Sequence, residues 1–98
     1  MIMGKVVGTV VATHKDSGLE GFKLQIVQTV DIRTMALKDS FVVAVDSVGA
    51  GTHEIVLCTS GSSARLTAAT ENRPVDAVIV AIVDTSEIEG KEVYRKNG

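Results

Sequence analysis

The sequence predicts an all-β fold, a small five-stranded barrel with one short helix before the last strand. Three observations carry this expectation. Hydrophobic residues make up 45% of the 98 residues, yet only Phe22, Phe41 and Tyr94 are aromatic. The core must therefore be built from Val, Ile, Leu and Ala, and β-branched side chains favour strands. The apolar segments are also short, and Gly-rich turns separate them at close spacing. A chain of this length makes one domain with a single modest core, here residues 1–98, with 89–98 as an extended tail.

The elements follow in order. Lys5 to His14 reads as a first strand, ended by the turn chemistry of Asp16–Ser17–Gly18 and Gly21. Phe22 to Ile32 alternates with period two. Leu24, Ile26, Val30 and Ile32 share one face, and Lys23, Gln25, Thr29 and Asp31 the other. Arg33 to Asp39 reads as a loop and Ser40 to Val48 as a third strand. The tight turn Gly49–Ala50–Gly51–Thr52 leads to a fourth strand, Glu54 to Thr59. Ser62 to Ala69 suits a short helix with a Ser N-cap. Glu71–Asn72–Arg73–Pro74 is a turn, Val75 to Ile88 a fifth strand, and Gly90 opens a charged tail containing Val93 and Tyr94. Five strands with a helix before the last are comparable in layout to the OB-fold.

The fifth strand is apolar on both sides. Val75, Ala77, Ile79, Ala81 and Val83 lie on one face, with Val78, Val80 and Ile82 on the other. A small barrel has only one inside, so the strand needs a second burial surface. Either the short helix or the tail covers it, or it lies between subunits.

Several function classes lose support. The net charge is −2 and the ten Lys and Arg residues are scattered. No basic block follows a phosphate backbone or an anionic membrane. An OB-like oligonucleotide-binding module is the alternative reading, but base stacking needs aromatics in a basic groove. The apolar run Ala77 to Val83 falls far short of the roughly 20 residues of a membrane helix. Cys58 has no partner for an intramolecular disulfide, which fits a reducing cytoplasmic setting. For catalysis, His14 and His53 stand in no motif, and Gly61–Ser62–Ser63–Ala64 lacks the second Gly of a nucleophile elbow. Asp31, Asp46, Asp76 and Asp84 read as solvated or turn carboxylates. One Cys and two separated His make a poor zinc set. No enzyme, metal or cofactor is expected.

One ordered set of short runs remains. It comprises Gly4–Lys5–Val6–Val7–Gly8–Thr9–Val10–Val11–Ala12–Thr13, Val45–Asp46–Ser47–Val48–Gly49–Ala50–Gly51, Glu54–Ile55–Val56–Leu57, Gly61–Ser62–Ser63–Ala64–Arg65, Pro74–Val75–Asp76–Ala77 and Ile82–Val83–Asp84. Together these runs resemble the EutN/CcmL family of bacterial microcompartment vertex proteins, from the first strand to about Ile88. One departure is visible. The family often has Gly just before the Glu of the fourth strand, where this chain has His53.

The resemblance implies a barrel assembled as a cyclic pentamer that caps the vertices of a polyhedral, carboxysome-like shell in the cytoplasm. Hexameric shell proteins are the implied neighbours. Hexagonal tiles alone stay flat, and closure needs five-fold positions. The ring contacts would be heterologous, and their rotation closes. At the level of residues, the resemblance points to Asp46, Gly49, Ala50, Gly51, Ser62, Ser63 and Arg65 as subunit-interface or ring-axis candidates, and the second apolar face of the fifth strand adds Val78, Val80 and Ile82. Gly49, Ala50 and Gly51 form a demanding turn. Ser62 and Ser63 cap the helix or face the axis. The Arg65 guanidinium suits a carboxylate or carbonyl of a neighbour, or a partner within its own subunit, with Asp46 and Asp84 as candidate acceptors.

Overall fold

The structure is a computed structural model that describes residues 1–12, 18, 21–61, 64, 66 and 76–97. Five strands, β1 (Ile2–Val10), β2 (Lys23–Val30), β3 (Leu37–Asp46), β4 (Ile55–Ser60) and β5 (Ala77–Ile82), close into a barrel of order β1-β2-β3-β5-β4. All pairings are antiparallel except β3 with β5, which is parallel at Val45↔Val78 and Asp46↔Ile79. The expected five-stranded all-β barrel is thus present. The predicted helix, Ser62 to Ala69, falls largely outside the described residues.

The core is as poor in aromatics as the composition requires. Val6, Val27, Ala44, Val56, Cys58, Ala77 and Ile79 fill the barrel, with Ile2, Val42 and Ile82 packed against them. The interior is so narrow that Gly4 has no room for a side chain. A Cβ there would clash with Val27 Cγ1 and lie 2.8 Å from the carbonyl oxygen of Gln28.

The faces of β2 are the reverse of what its alternation suggests. Gln25 turns inward beside Val27, while Leu24 and Ile26 pair with Val45 and Val43 on the outside. Gln25 is only 2% exposed and is satisfied there. Its Nε2 donates to the Ala50 carbonyl at 2.9 Å, and its Oε1 accepts from Thr9 Oγ1 at 2.7 Å. A polar side chain with its partners in place closes one end of the barrel at little cost.

The single long strand expected over Val75 to Ile88 is broken in two places. Leu57 pairs with Ala81 and Cys58 with Ile79, so Val80 is the extra residue of a β-bulge. A bulge reverses which face later residues present. Ala77 and Ile79 point into the barrel before it and Ile82 after it. Val83 joins an outer cluster instead. Val78, Val80 and Ile82 therefore do not share one outward face. The backbone then leaves the barrel at Val83–Asp84, and the expected tail is a hairpin of β6 (Thr85–Ile88) and β7 (Lys91–Arg95). The hairpin turns at Glu89 and Gly90, both with positive φ.

The connection from β2 to β3 is also tighter than the loop expected over Arg33 to Asp39. Asp31 Oδ1 accepts from the backbone N–H of Arg33 at 2.8 Å and of Thr34 at 3.2 Å. Met35 N–H donates back to the Asp31 carbonyl at 2.7 Å. These bonds to the carboxylate hold Asp31 below its ordinary pKa. The turn ends early, so β3 starts at Leu37.

Candidate assembly surfaces

Two carboxylates organise the end of the barrel where the conspicuous glycines lie. Asp46, the last residue of β3, turns its side chain over the segment that follows it. Its Oδ1 accepts from the N–H of Val48 and of Gly49, each at 2.9 Å, and its Oδ2 accepts from Ala50 N–H at 2.8 Å. The Gln25 amide approaches the same Oδ2 at 3.3 Å. Successive N–H groups wrapped around a carboxylate make an anion nest filled by the chain's own side chain. The path requires φ of +77° at Gly49, a value glycine tolerates. Gly51 has no positive φ. Its constraint is Glu54, whose Oε1 accepts Gly51 N–H at 2.5 Å and would lie 3.3 Å from an added Cβ.

Glu54 is the second organiser. Its other oxygen, Oε2, meets Lys96 Nζ at 2.5 Å, just beyond β7. One carboxylate thus ties the turn before β4 to the base of the C-terminal hairpin. Lys96 and the Gly51 N–H lower the Glu54 pKa, and Glu54 raises that of Lys96. Between Gly51 and Glu54 the chain makes a β-turn, with Glu54 N–H donating to the Gly51 carbonyl at 3.2 Å. His53 takes the third turn position with φ of +76°, where a type II turn favours Gly. Glycine's conformational freedom suits this turn, and His53 occupies it at a cost in strain.

The structure brings Asp46, Gly49, Ala50 and Gly51 together, with Ala50 buried among the core residues. Val78 lies beside them, next to Val45, but is fully buried within the chain by Val45, Ala64, Phe22, Leu24 and Val80. Much of the second burial surface that β5 demands is therefore internal. Ile82 is turned to the core side, so neither it nor Val78 presents an outward apolar surface. Val80 is half-buried at the bulge. Ser62, Ser63 and Arg65 lie outside the described residues. Asp46 is engaged by its own turn. Asp84 is exposed, and its carbonyl accepts Lys96 N–H at 2.7 Å.

Sequence reasoning passed over Gln25, Glu54 and Lys96, and also an outward apolar row. Gly8, Ile26 and Val43 align across β1, β2 and β3, and Gln28 pairs with Phe41 in the adjoining row. Phe41 is 55% exposed, Val43 49% and Leu37 50%. The composition alone held one signal: with so few aromatics, a Phe on a strand of mixed polarity is worth locating.

The geometry defines a small β-barrel whose organised parts are turns, an arm and an apolar outer face. Its carboxylates are used to shape backbone, and the described residues hold no cluster of three metal-ligating side chains. The chain belongs to the EutN/CcmL family. The family model described as "Ethanolamine utilisation protein EutN/carboxysome" matches residues 1–84. The carboxysome shell vertex protein CcmL of Synechococcus elongatus is 46% identical over 96 residues, covering 98% of this chain and 96% of its own. Among solved structures, CcmL of Gloeobacter violaceus superposes with a TM-score of 0.94 at 40% identity, with both chains fully covered. The pentameric microcompartment shell protein GrpN of Rhodospirillum rubrum superposes with a TM-score of 0.81 at 44% identity, covering 90% of this chain and all of its own.

Proposed function

We propose that this chain is a structural subunit of a bacterial microcompartment shell, of which five copies close a ring at each vertex. The observation that carries the reading is family membership with near-complete mutual coverage, together with a pentameric relative of the same fold. The chemistry agrees with a building block: turns are fixed by internal carboxylates, and apolar surface is left outside. In a shell, hexameric proteins would pave the facets and meet the ring at its sides. The barrel end shaped by Asp46, Gly49, Ala50 and Gly51 would border a subunit contact or the ring axis. The oligonucleotide-binding alternative is weaker, because Phe41 is the only one of the three aromatics that is exposed.

Native mass spectrometry tests the reading. Five copies of a 10.3 kDa chain give a species of about 51 kDa. A monomer across a wide concentration range would refute the ring, and a hexamer would refute the vertex role. Co-expression with a hexameric shell protein should yield closed polyhedral particles, whereas omitting this chain should leave open sheets or tubes.

A further inference from the structure

The barrel is closed unevenly. Four of its seams each run over at least four paired positions. The fifth, between β3 and β5, has only Val45↔Val78 and Asp46↔Ile79 among the described residues. From Leu37 to Ala44, β3 has β2 on one side and no described strand on the other. Its first half, Leu37 to Phe41, is exposed throughout, so nothing anchors β3 along that far edge. The inner side of the seam is met by Ala44 and Ala77, whose small side chains bury little area across it. Two further ties hold it. Ser47 Oγ donates to the Ile79 carbonyl at 2.8 Å, and on the outside Val45 and Val78 pack together with Phe22, Leu24 and Val80. Local opening starts where few backbone hydrogen bonds and few buried contacts hold an element.

One buried reactive group stands behind this seam. Asp46, Ile79 and Cys58 form a single row across β3, β5 and β4. Cys58 is 1% exposed and packs inside the barrel with Ile79 and Ala44. Burial, and after it the Asp46 carboxylate, push its thiol up to about 11. In the closed barrel Cys58 is therefore both shielded and protonated, and inert. We propose that the subunit has a subglobal open state in which the β3–β5 seam parts while the other four seams stay paired, and that this opening gives small solutes access to the Cys58 thiol. The hydrogen bond from Ser47 to the Ile79 carbonyl is its latch. When it is released, β3 moves away from β5 together with β2, and the row behind the seam is wetted. Cys58 itself stays paired in β4. The inference concerns the single subunit and does not depend on the ring.

The test labels Cys58, the only thiol of the chain, in the full purified protein with the aromatic disulfide dithiobis(nitrobenzoate) at fixed pH. The Cys58 thiolate attacks one sulfur of the reagent, a mixed disulfide forms, and the nitrothiophenolate that leaves is read by its absorbance. Where the rate is proportional to reagent, it reports the open population. Labelling without urea is expected, with only a weak dependence on low urea, because parting one seam exposes little surface. Ser47→Ala should speed it roughly three- to tenfold, the scale of one net hydrogen bond. Gln28→Met removes a bond of the same kind, from Gln28 Nε2 to the Lys38 carbonyl within β2–β3, and should leave the rate unchanged. A urea dependence as steep as that of global unfolding, or equal acceleration by both variants, would overturn the proposal. So would a rate that rises on dilution, which would assign the exposure to separation of copies.

Discussion

Removing the Asp46 carboxylate should destabilise the fold by an amount that can be worked out from its partners. In Asp46→Ala four donors lose their acceptor: the N–H groups of Val48, Gly49 and Ala50, and one approach of the Gln25 amide. Val48 and Gly49 are exposed, so water replaces the carboxylate there. Ala50 and Gln25 are each 2% exposed. Gln25 keeps its bond to the Ala50 carbonyl, so the Ala50 N–H bears most of the loss. A buried donor left unsatisfied costs about 1–3 kcal/mol, and more when the lost partner was charged. Adding the lost order of the turn gives an expected loss of about 2–4 kcal/mol. That is a large fraction of the ~5–15 kcal/mol typical of a domain. At about 4–8 °C per kcal/mol for a chain of this size, Tm should fall by roughly 8–32 °C. Thermal and urea unfolding at fixed protein concentration are the assays, since assembly also stabilises the folded chain. Asp46→Asn keeps one acceptor oxygen and should lose about half as much. If Asp46→Ala melts within 2 °C of the parent, the nest does not organise this end of the barrel.

Three further outcomes follow from the same geometry. Gly49→Val should cost more stability than Gly51→Ala, because only Gly49 has positive φ; equal losses in urea unfolding would count against this. His53→Gly should be neutral to about 1 kcal/mol stabilising, as relief of ~1–2 kcal/mol of left-handed strain outweighs the ~0.5–1 kcal/mol entropy cost of Gly; a clear loss of Tm would show that the imidazole makes a contact worth more than the strain. The Glu54–Lys96 tie has a defined pH window. The Glu54 pKa is lowered from 4.5, so its contribution is fully present above pH 4.5 and lost as pH falls through the lower folded value. The Lys96 pKa is raised from 10.5, so its contribution is present below pH 10.5 and lost as pH rises through the higher folded value. Protection factors of the β7 amides, with the intrinsic pH dependence of exchange divided out, should therefore be highest between these limits, and Lys96→Met should abolish their dependence on Glu54 ionisation.

Much of the barrel was legible because its strands are Val-rich segments cut by Gly and Asp turns. What escaped has identifiable physical causes. The bulge at Val80 leaves no mark in an all-apolar run, so Ile82 and Val83 were placed on the wrong faces. Gln25 was assigned outward because a polar residue in an alternating strand usually is, but three side-chain hydrogen bonds settle it inside. The start of β3 was hidden because Leu37 to Phe41 is exposed throughout and carries no period. The hairpin was missed because Thr85 to Arg95 is mostly polar, and its strands are held by one turn and a tyrosine at the base. His53 was visible only as a departure from the family pattern, and its positive φ shows why Gly suits that position.

The distribution of covered and bare surface narrows where subunits can meet. Around the barrel, the outer side of β5 near Val78 is covered by Phe22, Leu24 and Ala64. The outer side of β4 and the start of β1 is covered by Met35, Val83 and Tyr94, which enclose Met3, Ile55 and Leu57. Among the described strands, the remaining sector is the middle of β2 and β3, where Phe41 and Val43 stand about half exposed. Burying an apolar side chain there gains roughly 25 cal/mol per Å² removed from water, and the chain has not taken that gain within itself. Val78→Asp should therefore give an unfolded subunit, because it places an unpaired carboxylate in a site with no water. Val43→Asp should give a folded monomer, because in the isolated subunit its charge is hydrated and only the contact is lost. Circular dichroism with analytical ultracentrifugation distinguishes these states. A folded pentamer from Val43→Asp would place the ring contact elsewhere, and a folded monomer from Val78→Asp would mean that β5 is an interface strand after all.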